Sequence, residues 1–244
     1  MFASEVTQTL MNRLETLTVQ EVKEIDRYMT RRILSVLEAF IKIYQPQTDV
    51  YMVSETQELR IAQKLLMCPF FDKKIRGMAE FKDIFIKIEN RKRYTDNQII
   101  QNDIAICRFL DYSTFSEWIQ QTKILEYIYV ENPHSELIKR SLELIYVRTK
   151  DQERPLQDEI IEAVWRCATE KHEDIIRATL AIMQELIPHL PLDTLEKFYA
   201  HIRQLPDSEY DDMRVDFLQK YSLGALSVLI KERNALRQQN QQRQ

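Results

Sequence analysis

Five stretches decide the fold: ELRIAQKLLMCP from Glu58 to Pro69, DNQIIQNDIAIC from Asp96 to Cys107, HSELIKRSLELI from His134 to Ile145, HEDIIRATLAIM from His172 to Met183, and YDDMRVDFLQKY from Tyr210 to Tyr221. Each begins 38 residues after the one before it. The fourth position is always apolar (Ile61, Ile99, Leu137, Ile175, Met213), and so is the ninth (Leu66, Ile104, Leu142, Leu180, Leu218). At about 100° per residue these positions, with Ala62, Ile100, Ile138 and Ile176 at the fifth, fall within an arc of roughly 160°, one broad buried helix face.

Between the five stretches lies a second set of helical spacings. Ile75, Met78, Phe81, Ile84, Phe85 and Ile88 form one, Phe115, Trp118, Ile119, Ile124 and Leu125 the next, then Ile160, Ile161, Val164 and Trp165, then Leu195, Phe198, Tyr199 and Ile202. A helix pair of about 38 residues, whose apolar faces are covered only by the next pair, is the pattern of an α-solenoid. The fixed Trp, Leu-Gly, Tyr and Ala positions of tetratricopeptide repeats are missing. The expected class is therefore all-α, an armadillo/HEAT-like α-solenoid, with a compact helical bundle as its rival.

Composition agrees. Two glycines in 244 residues, against a usual share of about 7%, exclude hairpin-rich sheets, P-loops and dinucleotide-binding glycine loops. Seven prolines and acidic or hydroxyl caps supply the punctuation. Helices are expected at 4–17, 19–44, 55–67, 72–89, 96–110, 114–129, 135–148, 156–170, 172–187, 192–204 and 209–232. Ser113 or Thr114 before Glu117, and Ser208 before Asp211 and Asp212, are the expected caps. Residues 45–54 read as a hinge or loop. One helical-repeat domain spans 1–232, with 1–54 its irregular N-terminal part, and the Gln-rich 233–244 reads as a frayed or disordered tail.

The charge balance narrows the partners. Thirty-four Lys+Arg against 38 Asp+Glu leave a net −4, too mixed to steer the molecule onto nucleic acid or an anionic membrane. No apolar run approaches the roughly 18 residues of a membrane span. Cys68, Cys107 and Cys167 are odd in number and lie in apolar surroundings, as reduced core thiols of a cytoplasmic or nuclear protein do.

Candidate chemistry is sparse. Cys167 and His172, the closest Cys/His pair, would lie about 140° apart around one helix axis, with no oxyanion loop nearby. His134 and His172 open neighbouring repeats and are followed by acids, as helix N-termini prefer; no two histidines share the spacing of a metal site. Asp207, Glu209, Asp211 and Asp212 lack the central glycine of a calcium loop. No catalytic residue, metal, cofactor or small-molecule ligand is expected. The basic stretches Lys73, Lys74, Arg76 and Arg91, Lys92, Arg93 are the candidates for binding an acidic protein partner.

Four collinear stretches go beyond fold class. The first runs from Leu65 to Glu80 and contains Cys68, Phe71, Lys73, Lys74 and Gly77. The second contains Trp118 and Lys123 to Glu126, and the third His134, Lys139, Arg140 and Ser141. The fourth joins Trp165 and Cys167 to Lys171, His172 and Glu173. Together they resemble the non-catalytic helical region of the very large ubiquitin-specific proteases of the fat facets group. The resemblance implies an armadillo-like segment set apart from a papain-like catalytic domain whose Cys and His boxes have no counterpart here. It implies a protein partner, a substrate or regulator of ubiquitin removal, and makes the chain either a scaffold segment of such an enzyme or a separately encoded relative. The alternative is a stand-alone HEAT/armadillo-type adaptor with no ubiquitin link.

Overall fold

The computed structural model describes residues 2–97, 106–151 and 156–242, and these contain helices and no strand. The chain divides into two compact units, Met1–Phe115 and Ser116–Gln244, a boundary that the sequence pattern does not mark.

The first unit holds α1 (Phe2–Glu15), α2 (Val19–Glu24), α3 (Arg27–Tyr44), α4 (Val50–Met67) and α5 (Phe71–Asn97). Local chemistry starts each of the middle three. Thr18 and Glu21 form a reciprocal capping box on α2. The Asp26 carboxylate accepts from Met29 N at 2.6 Å to open α3, and Asp49 accepts from Tyr51 N and Met52 N at 2.9 and 3.1 Å to open α4. The helix expected over 19–44 is therefore two helices, because Asp26 caps a new one. The loop expected over 45–54 shrinks, because Asp49 starts α4 early. α4 lies between α3 and α5, which is why it buries Leu59, Ile61, Ala62, Leu65 and Leu66 over a wide arc.

Of the helix expected over 96–110, residues 98–105 lie outside the described residues, and the described ends differ from the expectation. α5 runs on through Asn97, and Ile106–Asp111 is non-helical. Ile99, Ile100 and Ile104 lie outside the described residues. The cap before Glu117 is Asp111, not Ser113 or Thr114: its carboxylate accepts from Thr114 N at 2.8 Å, and Thr114 Oγ1 accepts from Asp111 N at 2.9 Å. α6 (Tyr112–Gln121) follows, and the division between the units falls inside it.

The second unit continues with α7 (Ile124–Glu126), which widens into a π-helical turn over Tyr127–Glu131, then α8 (Ser135–Lys139), α9 (Leu142–Lys150), α10 (Asp158–Thr169), α11 (Glu173–Leu186), α12 (Leu192–Ile202) and α13 (Asp212–Gln242). α11 packs on α8, α9, α10 and α13, while α12 packs on α10 and α13. This is the helix-pair stacking of an armadillo-like repeat, and α13 starts 39 residues after α11.

Three local details differ from the periodic reading. The helix expected over 135–148 breaks at Arg140 and Ser141, because the buried Ser141 hydroxyl bonds to the Ile138 carbonyl at 2.8 Å and to the Tyr129 hydroxyl at 2.7 Å. In the fifth stretch the buried face is Phe217, Tyr221 and Val228, while Met213 and Leu218 are half-buried. The last helix does not end at 232 but continues to Gln242, its start capped by Asp211, which accepts from Arg214 N at 2.8 Å.

Candidate functional site

The first motif stretch is the seam between α4 and α5. Cys68, buried at the C-terminal end of α4, donates its thiol to the Leu65 carbonyl at 3.1 Å, while Phe71 is exposed at the first turn of α5. Gly77 is the point of closest approach. A Cβ built there would stand 2.6 Å from Leu66 N and 2.7 Å from the Ala62 carbonyl oxygen, both backbone atoms of α4. Its φ is not positive, so the residue is needed for its missing side chain and not for a left-handed turn.

The basic residues around it point inward. Ile25 ends α2 with an extended backbone, and its carbonyl accepts from Lys73 Nζ at 2.9 Å and Arg76 Nη1 at 2.5 Å. Arg76 also donates to Thr30 Oγ1 at 2.9 Å and reaches Glu80 Oε1 at 3.4 Å. Three elements thus converge on one guanidinium, whose side chain is 18% exposed. Lys73 and Arg76, candidates for partner binding in the sequence, instead hold α5 to the N-terminal helices; Lys74 beside them is half-buried.

The second basic stretch is divided in the same way. Arg91 donates to the Leu110 carbonyl at 3.1 Å, and Lys87 pairs with Glu58. Lys92 and Arg93 are exposed; Lys92 lies 5.7 Å from the Tyr112 ring centre and Arg93 3.8 Å from Glu89. Beneath them is a device the sequence did not disclose. The buried Glu55 carboxylate accepts three consecutive backbone N–H groups, from Arg108 at 2.6 Å, Phe109 at 2.9 Å and Leu110 at 2.7 Å. It anchors the non-helical stretch before α6 to α4. Cys107 is buried beside it, and burial, reinforced by the nearby Glu55 charge, pushes its thiol up to about 12.

In the second unit the motif residues are also mostly architectural. His134 caps α8, its Nδ1 accepting from Glu136 N at 3.2 Å. Lys139 bonds Glu136 at 2.8 Å, and Arg140 lies 4.0 Å from the same carboxylate. Trp118 is half-buried. Trp165 is buried and stacks on His201, with ring centres 5.7 Å apart and planes at 19°. Lys171, His172 and Glu173 are exposed at the start of α11, where Glu173 pairs with Arg177 at 2.5 Å.

Cys167 and His172 are not on one helix. Cys167 is buried in α10 and donates to the Tyr129 carbonyl at 3.2 Å, whereas His172 is the exposed cap position of α11. Burial raises the Cys167 thiol as well, the opposite of what a nucleophilic thiolate needs. The acidic residues around Ser208 meet a cation of the chain itself: Arg214 lies 3.1 Å from Glu209 and 2.8 Å from Asp211. One further position escaped the sequence reading. Lys123, between α6 and α7, has φ 53° and ψ 37°, a left-handed conformation that side-chain-bearing residues rarely adopt. No helix among the described residues is long and apolar enough to cross a membrane.

A family model described as the UBP24/USP9X/USP9Y ARM repeat matches residues 53–221, more than two thirds of the chain. Neither a curated protein nor a solved structure matches.

Proposed function

The chain belongs to the UBP24/USP9X/USP9Y ARM-repeat family, and on that premise we propose that it is the non-catalytic scaffold segment of a large ubiquitin-specific protease, holding a protein partner for ubiquitin removal. The observation that carries the reading is the family match over 53–221, which takes in helices of both units, from α4 to α13. Helix pairs packed within a unit offer a rigid surface, and surface is what recognition of a protein needs. The partner is a ubiquitin-pathway substrate or regulator, met in the cytoplasm or nucleus. Of the six basic candidates, Lys92 and Arg93 are the exposed ones.

The test uses the full-length protease encoded by the gene. Deleting 53–221 should leave hydrolysis of a small fluorogenic ubiquitin substrate unchanged while slowing removal of ubiquitin from the partner that the chain captures. A reading frame that stops after Gln244 with no catalytic domain would overturn the proposal in favour of a stand-alone adaptor. Covalent labelling of Cys167 by a ubiquitin bearing a C-terminal electrophile would overturn the non-catalytic reading.

A further inference from the structure

α3 has two apolar faces, and among the described residues only one of them is fully buried. Thr30, Leu34, Leu37 and Ile41 face the core. Met29, Val36 and Ile43 recur every seven residues on another side and are 43%, 42% and 68% exposed. Ile33 and Phe40, both half-buried, widen this stripe. A seven-residue spacing with apolar residues interleaved is the seam one helix presents to another. From Met29 to Ile43 it is about 21 Å long, roughly four helical turns.

At one end the seam opens into a groove of about 300 Å³ between α1 and α3, lined by Leu10, Tyr28, Met29, Arg32, Ile33 and Val36. Leu10 and Ile33 are packed against the core beneath, so its floor is fixed, while Tyr28, Met29 and Arg32 are side chains enriched at recognition sites. Arg32, which lines the groove, is exposed, and it has no ion-pair partner among the described residues.

We propose that the α1–α3 groove of this chain binds an amphipathic helix of a partner protein, one whose apolar stripe is flanked by acidic side chains. Charge selects the occupant. Arg32 complements a carboxylate on the flank of a bound helix. A further exposed apolar helical face, Leu223, Leu226, Leu229 and Ile230 on α13, is followed by Lys231, Arg233 and Arg237 with Glu232 as the single acid; a second copy offering that face would bring like charges together. The groove helices precede residue 53, where the family match begins. The inference deepens the scaffold reading by naming the class of partner, yet it is read on the isolated chain. Its failure leaves the deubiquitinase assignment standing, and failure of that assignment leaves the groove standing.

The experiment is fluorescence anisotropy of the full chain with two labelled 18-residue helical peptides that share a heptad leucine stripe, one flanked by glutamates and one by lysines. The glutamate peptide should bind at least about tenfold more tightly at low salt. Val36→Asp, an exposed change that leaves the circular dichroism unaltered, should weaken it by about tenfold or more, and Arg32→Glu should reverse the preference. Equal binding of both peptides, no binding of either, or indifference to the variants overturns the proposal. So does sedimentation of the wild-type chain as a dimer that Val36→Asp dissociates, which would assign the groove to a second copy.

Discussion

Gly77→Ala is the substitution on which the packing argument stakes most. The new methyl would sit 2.6 Å from Leu66 N and 2.7 Å from the Ala62 carbonyl oxygen. Both are backbone atoms of α4, so no rotamer change can make room. Restoring an ordinary contact of about 3.4 Å requires α5 to retreat by about 0.8 Å from α4, on which it packs, and Met78, Phe81 and Ile84 of α5 are buried. A gap of that size forfeits a quarter to a half of each affected dispersion contact, and overpacking of a dense core costs ~1–3 kcal/mol, here at the upper end. Replacing a mid-helix glycine by alanine returns ~1 kcal/mol of helix propensity. The net is a loss of ~2 kcal/mol, or a melting midpoint lower by ~4–8 °C for a chain of this length. Thermal melting followed by circular dichroism at 222 nm reads it. An unchanged or higher midpoint would refute the reasoning, because propensity alone would then be acting and the two helices would not be in contact at residue 77.

Glu55→Gln keeps the shape but turns an amide NH2 toward one of the three N–H donors at 108–110; it should cost ~2–3 kcal/mol and accelerate hydrogen exchange of those three amides first. Lys123→Gly should stabilise the chain, by ~0.5–1 kcal/mol, since glycine accepts φ 53° without steric cost; a lower midpoint would show that Lys123 is held there by contacts worth more than the strain. Because the folded Cys107 thiol ionises only near 12 and the unfolded thiol near 9.0, the unfolded chain releases this proton first. The contribution of Cys107 to stability is therefore full below pH 9 and declines between about 9 and 12, and the difference between wild type and Cys107→Ala in urea melts across that range should shrink accordingly.

Periodicity made the helix-pair architecture legible because a repeat writes the same apolar face several times, and the faces at Ile61, Leu137, Ile176 and Leu180 are buried as the spacing requires. Where a single polar side chain decides the backbone, the spacing is silent. Asp26 splits one apolar stretch into α2 and α3 by capping, and Ser141 breaks another by bonding across to Tyr129. The Glu55 contacts with residues 108–110 are separated by more than 50 positions, so no local pattern announces them. Lys73 and Arg76 illustrate the limit for the candidate site. A run of cations reads as solvated surface, and only the extended carbonyl of Ile25, presented by the end of another helix, turns them inward. The α1–α3 groove was missed for a related reason: α3 is apolar on two sides, and a sequence does not say which side already has a neighbour.

The placement of the aromatic side chains has a practical consequence. Trp118 and Trp165 are the chain's two tryptophans, and both lie in the unit that begins at Ser116. Excited at 295 nm, the molecule emits from that half alone, while its helical dichroism sums over both. Comparing the two signals through a single melt tells, without a label or a truncation, whether the halves lose their structure together or in turn.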